Sequence, residues 1–171
     1  MVASSEIETM LHLFDDKFAE IEELLAALPA EALQWKPFEQ SPWKGPSGRL
    51  GWILAHNISS TVYLVRRAQW VLGRIEWSGV DGDEGREEFG PANNDPAYMA
   101  ARAKRAQAWL HETLPTFSLE DLEQSRPNAR RPDVVYNVRR ELLHALEHMS
   151  QHNGQAQVTR QLWAIEQEKA S

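Results

Sequence analysis

Three of the six histidines stand four residues apart, in the run Glu141-Leu-Leu-His144-Ala-Leu-Glu147-His148-Met-Ser-Gln-His152-Asn-Gly154-Gln155. On an α-helix, residues four apart lie about 6 Å along the axis and about 40° around it, so two such imidazoles can converge on one ion. Val138, Leu142, Ala145, Leu146 and Met149 make an apolar stripe on the same wheel. His148 and His152 border that stripe and point inward, whereas His144 falls further out, towards Arg140 and Glu147. A third inward histidine, His56, lies in an apolar segment beside Trp52, Ser59, Ser60 and Tyr63. By itself His56 reads as a core histidine. Together with a His-x-x-x-His pair on another helix it makes a set of three nitrogen donors, the kind of site that bundle interiors build from facing helices. Neutral imidazoles suit zinc, nickel, copper and iron(II) rather than magnesium or calcium. Three ligands with no evident fourth leave a position for water or substrate, and such an ion supplies a nucleophile without cysteine or serine chemistry.

The elements that must position these groups read as helices. Ser5 and Glu8 form a capping box ahead of Ile7, Met10, Leu11, Phe14, Phe18, Ile21, Leu25 and Leu28, a helical series that runs up to Pro29. Between Pro29 and Gly48, four residues (Pro37, Pro42, Gly45, Pro46) interrupt any regular element, and Trp35 and Trp43 read as anchors or as a roof over a pocket. A second helix, from Ser47 or Gly48 to Gly73, is apolar nearly all round and therefore buried. Gly73 to Asp95 is acidic and Gly-rich and reads as a mobile loop, its Asp81, Asp83 and Glu84 being a solvated charge run rather than a calcium loop. Asp95-Pro96 caps and opens a third, alanine-rich helix to about Leu114. His12 and His111 read as surface or structural histidines. After Pro115 a connector, with one helical turn after Ser118, carries Arg126, Arg130 and Arg131, and Arg139 and Arg140 follow; these cations either steer an anionic substrate or form a solvated patch. Asp133 is the expected cap of the fourth helix. Beyond Gly154 the apolar stripe rotates, with Arg160 near its former centre and Val158, Leu162 and Ile165 opposite, so a bend, a new partner or a separate terminal helix is expected there. The fold class is all-α, a four-helix bundle in one domain spanning residues 1–171.

Composition narrows the function. Cysteine is absent, which removes disulfides and thiolate chemistry. Net charge is −7, from 18 basic and 25 acidic residues, which argues against a nucleic-acid partner. The longest uncharged run, Leu50 to Val65, contains His, Asn, Ser and Thr and suits a buried helix better than a membrane span, and no signal peptide is visible at Met1 to Glu23. The expectation is a cytoplasmic protein with no membrane and no nucleic acid, acting on a small molecule.

The pairing of Gly51-Trp-Ile-Leu-Ala-His56 with His148-Met-Ser-Gln-His152-Asn-Gly154-Gln155 resembles the DinB-like (DinB/YfiT) family, as does the segment Leu33-Gln-Trp35-Lys-Pro37. The resemblance implies a bundle of up-down-down-up connection, often dimeric, with a divalent metal on His56, His148 and His152. It assigns nothing to His144. The family that the chain resembles includes metal-dependent thiol transferases and a thiol-dependent isomerase, and the first expectation is a metal-dependent transferase or hydrolase that uses a low-molecular-weight thiol or water as nucleophile. Tyr63, two turns along from His56, reads as core packing, with a pocket role as its alternative; Gln155 either orients a ligand or ties helices together. Two competing readings stand beside the enzyme. One is a non-catalytic bundle stabilised by its metal. The other is an inverted zincin peptidase, because His144-Ala-Leu-Glu147-His148 spells H-x-x-E-H. Glu147 lies about 160° from the centre of the apolar stripe, which disfavours it as a base in that site.

Overall fold

The computed structural model describes residues 5–40, 48–82, 84–128 and 131–170. Four long helices dominate: α1 (Ser5–Leu25), α3 (Leu50–Val71), α6 (Pro96–Thr113) and α8 (Val138–Ala170). Between them lie short helices α2 (Ala30–Gln34), α4 (Ser78–Asp81), α5 (Glu84–Glu87) and α7 (Leu119–Leu122), and a hairpin of β1 (Ser125–Pro127) with β2 (Val135–Asn137). The chain is mostly helical, as its spacing predicts. α3 packs most extensively on α8, α1 lies against both α6 and α8, and α6 closes onto α3.

The reasons are local first. In α1 the positions Ile7, Met10, Phe14, Phe18 and Ile21 repeat every three or four residues and are all buried. The helix stops at Leu25, before Pro29, through a turn in which Ala27 takes φ of 53°. α3 is buried on nearly every face, from Leu50 through Ile53, Leu54, Ile58, Val62 and Val65 to Val71, and ends at a left-handed Gly73 with φ of 70°. Asp95 caps α6 by accepting from the Ala97 N–H at 2.9 Å, with Pro96 in the first turn. Ser118 and Asp121 form a capping box for the short turn expected after Ser118.

Several expectations are corrected. The segment from Pro29 to Gly48, read as excluding a regular helix, begins with α2, which buries Ala32 and Leu33; Trp43 and its neighbours Pro42, Gly45 and Pro46 lie outside the described residues. The Ser5 side chain, Asp83 and Arg130 lie outside them too. The Gly73–Asp95 stretch is not one open loop: it folds into α4, α5 and a 3-10 turn at Pro91–Asn94. α8 starts at Val138 rather than after Asp133, because Val135–Asn137 pair with β1, and Asn137 Oδ1 accepts from the Arg140 N–H at 3.1 Å. α8 also runs on through Gly154 as one helix, so no separate terminal helix begins there. Of the three alternatives for the rotated stripe, a new partner is the one seen. Arg160 donates to the carbonyls of Glu23, Leu24 and Ala26 at 2.7, 2.8 and 3.2 Å, closing the carboxyl end of α1 where unpaired carbonyls attract a cation.

Candidate metal centre

α3 carries His56 and α8 carries His148 and His152, and the packing of these two helices brings the three rings together. One ligand nitrogen from each lies within 4.8 Å of the others. Ring centroids are 4.4 Å apart for His148 and His152, 4.8 Å for His56 and His152, and 5.2 Å for His56 and His148. Among the described residues no other histidine, cysteine or carboxylate joins the group.

A pair of buried amides locks the register that creates this convergence. Asn57 and Asn153 each follow one of the histidines by a single residue, and both are buried. Asn57 donates to Asn153 Oδ1 at 2.7 Å and to the Met149 carbonyl at 3.3 Å. Asn153 in turn donates to the Lys17 carbonyl at 2.9 Å and to Glu20 at 2.7 Å, which ties α1 to the same point. Slippage of α3 along α8 would leave these amides unpaired in the core, at about 1–3 kcal/mol for each lost partner.

Two histidines have their proton placed by a neighbour. His56 Nδ1 is 3.0 Å from a carboxylate oxygen of Glu88, whose side chain is only 13% exposed. A carboxylate only accepts, so the Nδ1–H donates and Nε2 keeps its lone pair. His152 Nδ1 is 2.8 Å from Gln155 Oε1, with the same consequence. Trp52 stacks over His56 at 5.4 Å and 15°. His148 Nε2 lies 3.2 Å from His152 Nε2, and its Nδ1 is buried with no partner among the described residues. Burial, then the neighbouring His152, His56 and His144, pushes the His148 pKa down from 6.5 to about 4. Burial, followed by His56, lowers His152 as well. Both rings are therefore neutral at pH 7, the form that ligates a metal.

This donor set fits a divalent transition ion. Two nitrogens at about 2.05 Å from a tetrahedral zinc stand about 3.3 Å apart, close to the His148–His152 separation. Hydrogen bonding of the remote nitrogen to a carboxylate or carbonyl is how metal-ligating histidines are oriented. A cleft of about 350 Å³ opens beside the site, lined in part by Arg49, Trp52, Glu88, Phe89 and Pro91.

The other residues singled out by sequence fall elsewhere. His144 is exposed and 3.3 Å from Glu147, and neither joins the cluster, so the H-x-x-E-H arrangement is not assembled. Tyr63 is half-buried against the core, with the Arg67 guanidinium 5.3 Å from its ring centroid. His111 pairs with Asp15 at 2.7 Å, and His12 is exposed on α1. Arg126 caps the Trp70 carbonyl at 2.7 Å and Arg139 is engaged by Glu6 and Glu123, so these two cations serve the fold. Glu88 was hidden in what reads as a solvated acidic stretch. Asn57 and Asn153, each next to one of the three histidines on an inward face, are the signal in the sequence for that register.

No curated protein matches the chain. Among solved structures, the colibactin self-resistance protein ClbS in complex with double-stranded DNA aligns with a TM-score of 0.61 at 12% identity, covering 91% of this chain and 95% of that one. That complex overturns the expectation of no nucleic-acid partner: a protein of this fold is found on duplex DNA, so a net charge of −7 does not exclude it. Net charge sums the whole surface, whereas DNA meets only one face of it. The sequence profile of the DinB superfamily matches residues 13–156, and the chain belongs to that superfamily.

Proposed function

We propose that this protein is a metal-dependent enzyme, a transferase or hydrolase acting on a small molecule with a low-molecular-weight thiol or water as nucleophile. The observation that carries the reading is the convergence of His56, His148 and His152 from two helices, with Glu88 and Gln155 fixing the tautomers of two of them. These three histidines would hold zinc, nickel or iron(II), whose contribution is to acidify a thiol or water. The chain's own residues supply the rest. Glu88 and Gln155 retain the Nδ1 protons of His56 and His152 and keep both rings oriented. Trp52 shields one face of His56, and the adjacent cleft admits a small molecule past Phe89, with the Arg49 cation in its lining to favour an anionic one. Tyr63, packed against the core and the Arg67 guanidinium on α3, would serve packing rather than the cleft. Support for a homodimer comes from Val158, Leu162 and Ile165, which leave an apolar face of α8 exposed. The up-down-down-up order of the family would run through α1, α3, α6 and α8 in turn. A cytoplasmic location accords with the described residues, where no helix is long and apolar enough to cross a membrane.

Metal content measured by mass spectrometry on untagged protein tests the site directly. Near-stoichiometric zinc, nickel or iron is expected in the wild type and its loss in His152→Ala. Metal absent from both, even after reconstitution, would sink the reading. Reconstituted protein is then assayed with bacillithiol, mycothiol or glutathione and electrophilic acceptors against a triple His→Ala control. Duplex DNA belongs among the ligands assayed, since ClbS is solved with it.

A further inference from the structure

Arg102 is the largest of the fully buried side chains, 1% exposed at the centre of α6. A guanidinium removed from water is costly unless its donors are met, and an apolar residue would fill that space without the cost. Its contacts form a chain that ends at the metal centre. One terminal nitrogen donates to Ser59 Oγ at 2.5 Å, on the same helix as His56 and one turn beyond it. The other donates to Asn93 Oδ1 at 3.2 Å, and Nε lies 3.2 Å from a Glu87 carboxylate oxygen. Asn93, itself buried, uses both amide hydrogens on the segment that delivers Glu88: it donates to the Glu87 carbonyl at 2.6 Å and to the Glu88 carbonyl at 2.9 Å. The Asn93 carbonyl is seated on Gly51 of α3, where an added Cβ would come within 2.8 Å of it. The amide has one workable orientation. Turned over, its oxygen would face two carbonyls and its NH2 would face a guanidinium.

We infer that Arg102 and Asn93 are positioning residues for the metal centre: through the Glu87 and Glu88 carbonyls they hold the Glu88 carboxylate against His56 Nδ1 and so select the His56 tautomer whose Nε2 is free to ligate. The inference rests on the proposed metal site but concerns a different link, from α6 and the Pro91–Asn94 turn to one imidazole. Glu88 lies just past α5, which is a single turn of helix, so the carboxylate is aimed by what grips that turn rather than by a long rigid element.

The experiment is a double-mutant cycle on zinc affinity, read by competition with a chromogenic chelator, for wild type, Asn93→Ala, Glu88→Ala and the double variant. Each single change is expected to weaken zinc binding by about 10- to 100-fold, the usual consequence of losing the partner that orients a ligand histidine. The double variant is expected to be no weaker than Glu88→Ala, because Asn93 acts through Glu88. Losses that multiply, or wild-type affinity in Asn93→Ala, would overturn the inference. Should Asn93→Ala unfold, Asn93→Asp keeps the size and the Arg102 pairing while removing both donations to the carbonyls. Imidazole nitrogen NMR on metal-free protein supplies a readout independent of zinc. His56 is expected as the Nδ1–H tautomer in wild type and in Glu88→Gln, which retains an acceptor oxygen, and as a mixture in Glu88→Ala and Asn93→Asp. An unchanged tautomer in both of the last two would overturn the positioning role. A wild type that takes up no zinc but shows this tautomer pattern would overturn the metal reading and leave the positioning role standing.

Discussion

His148 carries the largest electrostatic consequence of the arrangement. Its ring is partly buried beside two other imidazoles, and its pKa is lowered to about 4 from 6.5. In the unfolded chain the same ring titrates near 6.5, so between pH 6.5 and about 4 the unfolded state binds a proton that the folded state does not. Stability from this group is therefore fully present above pH 6.5 and is lost as the pH falls towards 4. His152, lowered for the same reason, acts in the same direction. After discounting for partial exposure, the His148 contribution is on the order of 1–2 kcal/mol. The urea midpoint of metal-free protein is thus expected to fall between pH 7 and pH 5, and His148→Gln to reduce that fall, the His152 share remaining. A midpoint that stays flat in the wild type would contradict the burial argument.

Among the helices, two glycines of opposite character show how α3 and α8 are built. Gly51 sits in the first turn of α3, where an added Cβ would lie 2.8 Å from the Asn93 carbonyl oxygen and 3.0 Å from that of Leu33. Alanine would gain up to about 1 kcal/mol of helix propensity there, but the clash is with backbone atoms that cannot rotate away. Gly51→Ala is accordingly expected to destabilise by about 1–2 kcal/mol net. Gly154, flanked by Asn153 and Gln155 in α8, has nothing within 4 Å of the same added atom. Gly154→Ala is expected to stabilise by about 0.5–1 kcal/mol, since only the propensity term remains. Urea denaturation of both variants checks the pair, and equal signs would show that Gly51 is not a packing glycine.

For the molecule as a whole, the question is whether a metal at the proposed site would hold the fold or the fold would hold the metal. The buried apolar cluster draws on all four long helices, from Ile7 and Phe14 through Leu54 and Leu110 to Met149 and Ala156. The three histidines are only partly buried, at one place on the α3–α8 seam. A core of that extent should fold without the ion, whose binding then adds only the mass-action increment set by its concentration and affinity. Chelated protein is therefore expected to keep its helical circular dichroism and one cooperative melt, at a lower Tm. Loss of the cooperative transition on chelation would instead support a bundle that needs its metal to fold, as small zinc domains do.

The helical class, the long apolar helix α3 and the three inward histidines were all legible in the sequence, because helical periodicity is local. A wheel of 3.6 residues per turn places His148 and His152 beside an apolar stripe whatever they face. Family resemblance then named His56 as their partner, and the structure brings the three together. What only tertiary structure decided is which distant polar groups meet them. Glu88 reads as one acid in a charged stretch until α5 sets it against His56, thirty-two positions away in sequence. The hairpin strands are three residues each, too short to carry a visible alternation. Arg160 disturbs the apolar pattern of α8, and it marks contact with the carboxyl end of α1 rather than a break in the helix. Hydrophobic spacing records which face of a helix is inward, but a polar side chain is assigned its partner only by packing, because its hydrogen bond depends on atoms that the local sequence does not contain.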